Sequence, residues 1–304
     1  MTKVLFENEQ SQSNEEINEA LASSNKFKGL RAQEKLEVLV EDVIRNSNVN
    51  KANYEIWKEE MNIEDKMKNI SDDFKIKQII KVLASGPNTE KMETLVNVGI
   101  LEFCLPKLFT KINKNTTSYL MAYCKNVEKI EGTPLDKLVL LLAIFPVKEA
   151  VEAVESLDIK EDKELYIKTL EILEEFTIIN EKPTLKKFIL TNGMKQYEYL
   201  FALSGNFIKA YEFPKYRYLS KKYLLDEIRV QKEPIFPEDL DITREDLIES
   251  GLADEDSVDE LMMMLAEHLI NKPFKNNKEE LLKIAKKMND NKIFKYFRRV
   301  NWIR

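Results

Sequence analysis

Seven cations and five aromatic rings share one stretch of this chain: Lys209, Lys215, Arg217, Lys221, Lys222, Arg229 and Lys232, interleaved with Tyr211, Phe213, Tyr216, Tyr218 and Tyr223. Ammonium and guanidinium groups neutralise phosphates, and aromatic faces stack on unpaired bases, so this mixture suits a nucleic-acid surface. The segment Phe294–Arg304 repeats it, with Lys295, Arg298 and Arg299 among its cations. Two readings stay open for both clusters. The rings either face a ligand or fill a core whose outer side the charges solvate.

Other chemistry is thinly represented. His268 is the single histidine, too few for a His-Asp metal hydrolase. There is no Gly-x-x-x-x-Gly-Lys phosphate loop and no Gly-x-Ser-x-Gly elbow. Cys104 and Cys124 each lie in an apolar helical pattern and read as buried thiols, not a disulfide. The longest apolar run, Leu138 to Phe145, is far short of the roughly 20 residues a membrane span needs. The N-terminus opens into a polar, acidic stretch in place of a secretory signal, and a cytoplasmic location is expected.

The net charge of -6 does not favour a generic nucleic-acid binder, but its distribution qualifies that. Residues 272–304 hold 11 Lys/Arg against 3 Asp/Glu, whereas 233–260 hold 12 Asp/Glu against one Arg. The acidity is concentrated and the C-terminal end is basic.

The elements that must position these residues are helices. Seven glycines, nine prolines and abundant aliphatic residues in 304 predict an all-α protein with short connections, as two or three helical subdomains in an elongated arrangement. Phe74, Ile76, Ile79, Ile80 and Leu83 recur at helical spacing, with Ser71 as N-cap. Gly86-Pro87-Asn88 breaks that helix, Asn88 or Thr89 caps the next, and Gly99 suits a left-handed stop. Further helices are expected at 30–45, 54–61, 116–130, 135–145, 147–156, 163–176 and 185–190. A short one at Tyr197–Ala202 should end before Gly205, and others follow at 243–249, 257–270 and 277–288. The organisation read from these is a flexible acidic tail over 1–25, an N-terminal helical region over 26–134, a central body over 135–232 and a C-terminal module over 233–304. The rigid Glu233–Pro237 connection marks the last boundary.

The stretch from Phe74 to Leu108 resembles the helical region behind the catalytic head of class II tRNA nucleotidyltransferases and bacterial poly(A) polymerases. Leu138-Val-Leu-Leu-Leu142 is similar to that family's central helix. Phe236–Gly251, followed by Val258–Leu269 and Glu279–Lys287, resembles its closing module. The similarity runs in consistent order over about residues 70–287.

The resemblance implies a helical body and tail that hold tRNA, without the head where the chemistry occurs. That head carries two carboxylates one residue apart on a strand, which bind two metal ions. The pairs available here, Glu7/Glu9, Asp239/Asp241 and Asp254/Asp256, follow no Gly-rich strand and read as solvated or capping groups. The expectation is a non-catalytic tRNA- or structured-RNA-binding protein with no cofactor, metal or membrane partner. Its RNA contacts are expected at Lys215, Tyr216, Arg217, Tyr218, Lys221, Lys222, Arg229, Lys295, Arg298 and Arg299. Two alternatives accompany it: the RNA-binding subunit of a split nucleotidyltransferase whose separate head docks on residues 30–61, and a helical regulatory protein that has lost RNA.

Overall fold

The computed structural model describes residues 29–45, 70–159, 162–212 and 216–290. The expected tail over 1–25, the helix at 54–61 and the cluster at 294–304 lie outside the described residues. The described residues form α-helices joined by short turns and three single 3-10 turns, with no strand among them, so the chain is all-α.

The chain divides into two compact units, residues 1–171 with 206–213, and residues 172–205 with those from 214 onward. In the first, helices run α1 Ala32–Arg45, α2 Asp72–Ala84, α3 Thr89–Asn97, α4 Ile100–Cys104, α5 Pro106–Phe109, α6 Lys114–Asn126, α7 Pro134–Leu142 and α8 Val147–Glu155. Two further helices contribute to both units, α9 Lys163–Ile178 and α11 Met194–Tyr211. The second unit also contains α10 Lys182–Asn192, α12 Tyr216–Val230, α13 Arg244–Glu249, α14 Val258–Leu269 and α15 Lys278–Asp290.

In the first unit α2 packs against α1, α4 and α7. Its apolar stripe, Ile76, Ile79, Val82 and Leu83, is buried. The five residues Leu138–Leu142 of α7 are buried on every side, as expected of the most apolar run. Two tyrosines from other helices seat their hydroxyls on α7 carbonyls. Tyr123 donates to Lys137 O at 2.7 Å and Tyr211 to Leu140 O at 2.6 Å. Burial raises both phenols well above the ordinary value, so they remain donors at any physiological pH.

Several helix ends follow local rules. Ser71 Oγ accepts from Phe74 N at 3.3 Å, and Gly99 sits at φ 74°. Thr133 forms a reciprocal capping box with Asp136, directly before Pro134 at the first helical position. Thr133→Ala should cost about 1 kcal/mol, read as a lower urea midpoint with an unchanged slope.

Two ends depart from expectation. Asn88 occupies the N-cap position of α3, yet its side chain does not cap that helix. It is buried and donates to Leu83 O at 2.9 Å, closing the preceding helix. The α3 donor at Thr89 N is met by Glu128 at 3.0 Å, 39 residues away. Gly205 does not stop its helix, because α11 continues to Tyr211. A mid-helix Gly costs only about 1 kcal/mol. Leu200, Leu203, Ala210 and Tyr211, buried on either side, outweigh it.

Cys104 and Cys124 are buried and unpaired, as expected. Burial pushes both thiols up to about 12, which leaves them protonated and unreactive.

Candidate nucleic-acid interface

The expected cation–aromatic cluster falls largely on α12. This helix is anchored in the second unit by Leu225 and Ile228, which join Phe176, Phe188, Ile189, Tyr197 and Leu200 in one apolar cluster. Lys221 shares that inward face, and the wheel explains it. Leu225 and Ile228 lie four and seven residues further on.

Lys221 is therefore only 3% exposed, and its ammonium is used internally. Nζ donates to Thr177 O at 3.2 Å and lies 5.2 Å from the Phe176 ring centroid. Its own carbonyl accepts the Tyr197 hydroxyl at 3.3 Å. Lys221 thus serves α9 and the core, and it is withdrawn from the surface where an RNA contact was expected.

The outward face is different. Leu219, Tyr223 and Val230 stand at i, i+4 and i+11 and are all exposed, Tyr223 by 66% and Val230 by 82%. Lys222 and Arg229 are exposed along one flank of this stripe. Seven residues separate them, two turns, or about 10 Å along the axis. Neither has an ion-pair partner among the described residues. The opposite flank carries Glu227, which pairs with Lys182 at 3.0 Å. Tyr216, Arg217 and Tyr218 lie in the first turn of α12, and their side chains are outside the described atoms, as are Lys215, Lys295, Arg298 and Arg299 altogether.

The neighbouring members of the sequence cluster belong to the first unit and have other work. Tyr211 is core, as described above. Lys209 pairs with Glu131 at 2.6 Å. Phe213 lies outside the described residues.

Two of the three carboxylate pairs read as solvated or capping groups are described. Asp239 accepts the backbone N–H of Ile235 at 3.0 Å and of Phe236 at 2.9 Å. Asp254 accepts the Ser257 hydroxyl at 2.5 Å. Among the described residues no three His, Cys, Asp or Glu side chains gather so as to hold a metal ion. His268 is half-buried on α14, and its imidazole is held below the ordinary value by burial and then by Lys272 and Lys275.

Sequence reading overlooked one exposed ring. Phe274, in the turn between α14 and α15, is 77% exposed and is bracketed by Lys272 and Lys275. Its only signal is a Pro-Phe pair between two lysines, outside any helical period. No helix of the described residues is long and apolar enough to cross a membrane.

Comparison of the chain with known families, curated proteins and solved structures finds no match.

Proposed function

We propose that this chain is an RNA-binding protein, with tRNA as its first candidate ligand, and that the outward face of α12 is part of the contact. The observation that carries this reading is the joint exposure of Lys222, Tyr223 and Arg229 on one helix face, with both cations unpaired among the described residues. Two cations about 10 Å apart along the axis match backbone neutralisation, with Asp226 exposed between them, and the Tyr223 ring on the adjoining stripe offers a face for a base. The sequence resemblance to the tRNA-holding body of the nucleotidyltransferases supports the same ligand. No reaction is assigned to the chain itself.

The test is an electrophoretic shift with tRNA at several salt concentrations. The parent should bind at low salt and lose affinity steeply as salt rises. Lys222→Glu with Arg229→Glu should weaken binding about tenfold or more and flatten the salt slope by about two. Equal binding by parent and variant at every salt would remove α12 from the interface. No binding by the parent at low salt would leave a helical interaction protein that has lost RNA.

A further inference from the structure

The Phe274 turn is a fixed support for a ring held in solvent. Lys275 N donates to Lys272 O at 3.0 Å and Asn276 N to Pro273 O at 3.1 Å. The Asn276 side chain then ties the turn to a second loop, accepting from Asp241 N at 3.0 Å and donating to Asp239 O at 3.0 Å. Asn277 Oδ1 accepts from Glu280 N at 3.0 Å and opens α15. The backbone under Phe274 is thus bonded on both sides, while the ring itself stays exposed. Burying a phenyl side chain is favourable, and this turn forgoes most of that gain.

Charge distinguishes the occupants such a ring could take. Lys272 is exposed and has no ion-pair partner among the described residues. Lys275 is half-buried and pairs with Glu280 at 3.4 Å, which neutralises it in part. Burial, and then both lysines, hold the His268 imidazole below its ordinary value. Glu280 on Lys275 and the Asp239–Asp241 loop bonded to Asn276 leave Lys272 as the unpaired cation beside the ring among the described residues. A protein hot spot wants a ring rimmed by apolar neighbours that exclude water. The chain neighbours here, Lys272, Lys275 and Asn276 around Pro273, place charged and amide groups beside the ring. A single flat ring beside cations is the arrangement that grips a single-stranded nucleic acid, one base stacked and its phosphate neutralised.

We propose that Phe274 is a stacking platform for one unpaired base of a bound RNA, with Lys272 on the adjoining phosphate. This rests on the RNA reading above and adds a second contact, one that selects unpaired over paired nucleotides. The experiment uses the full chain with two probes, tRNA and a short single-stranded RNA carrying 5-iodouridine. Phe274→Ala should weaken single-strand binding about tenfold, and Phe274→Tyr should restore it. Irradiation of the parent complex should place an adduct on the peptide that carries Phe274. Parent affinity retained by Phe274→Ala, with no adduct there, overturns the stacking site. If the α12 double variant still loses tRNA in that case, the RNA reading stands and only this inference falls. A parent that binds neither probe overturns both.

Discussion

Glu233→Gln should destabilise the protein by about 3 kcal/mol, seen as a lower urea midpoint, although it changes one atom in a half-buried loop residue. The reason is Lys186. Its side chain is fully buried on α10, and among the described residues its ammonium meets the Glu233 carboxylate at 3.1 Å and Leu269 O at 3.5 Å. The other Glu233 oxygen accepts from Lys182 at 2.7 Å. Removing the carboxylate charge leaves a buried ammonium with neutral acceptors only, at best an amide oxygen and Leu269 O. Adding Lys186→Met to Glu233→Gln should recover most of the loss, because an apolar chain of similar volume needs no counter-charge. Failure of that rescue would locate the cost in the Lys182 bond instead. Burial pushes the Glu233 carboxyl upward, but bonds from Lys182 and Lys186 outweigh it and hold the group below the ordinary range. The folded chain therefore releases this proton more readily than the unfolded chain. The pair stabilises above the unfolded pKa and loses that contribution as pH falls through the folded value. Glu233→Gln should flatten this part of the acid limb.

What could be read from the sequence is what neighbouring residues decide among themselves. Ser71, Gly99 and Thr133 cap or stop helices through bonds spanning three or four residues, and each acts where local rules place it. The apolar run at 138–142 needs only burial, and it is buried. Asn88 was not legible, because its choice between two helix ends depends on Glu128 arriving from 39 residues away. Gly205 was misjudged for a related reason: propensity is a small term beside the burial of a long helix. The α12 cluster was half legible. Composition identified it, but composition does not separate Lys221 from Lys222. Register does, since Leu225 and Ile228 fix which side of the helix faces inward. Lys186 follows the same logic, standing between Leu185 and Phe188 on a buried face. Phe274 belongs to no period, so only its exposure on a bonded turn reveals it.

The second large effect is expected at Phe176, which is fully buried against Phe188 at 5.4 Å and Tyr197 at 5.9 Å between ring centroids. Phe176→Ala should cost about 3–5 kcal/mol in a denaturation experiment. Part of that is packing, and part belongs to Lys221, whose ammonium lies over this ring. Phe176→Leu separates the two, since it keeps apolar volume and removes the π face. A desolvated cation–π contact is worth about 2 kcal/mol, so Phe176→Leu should lose that in addition to a modest repacking cost. A double-mutant cycle with Lys221→Met isolates the term. With methionine at 221 there is no cation, and Phe176→Leu should then cost less by about the coupling energy. A coupling near zero would mean that hydrogen bonds such as that to Thr177 O, and not the ring, hold the ammonium. A coupling of about 2 kcal/mol would show that the ring helps to hold the Lys221 ammonium inward. Leu225 and Ile228 set the same rotation of α12, which leaves Lys222, Tyr223 and Arg229 facing out.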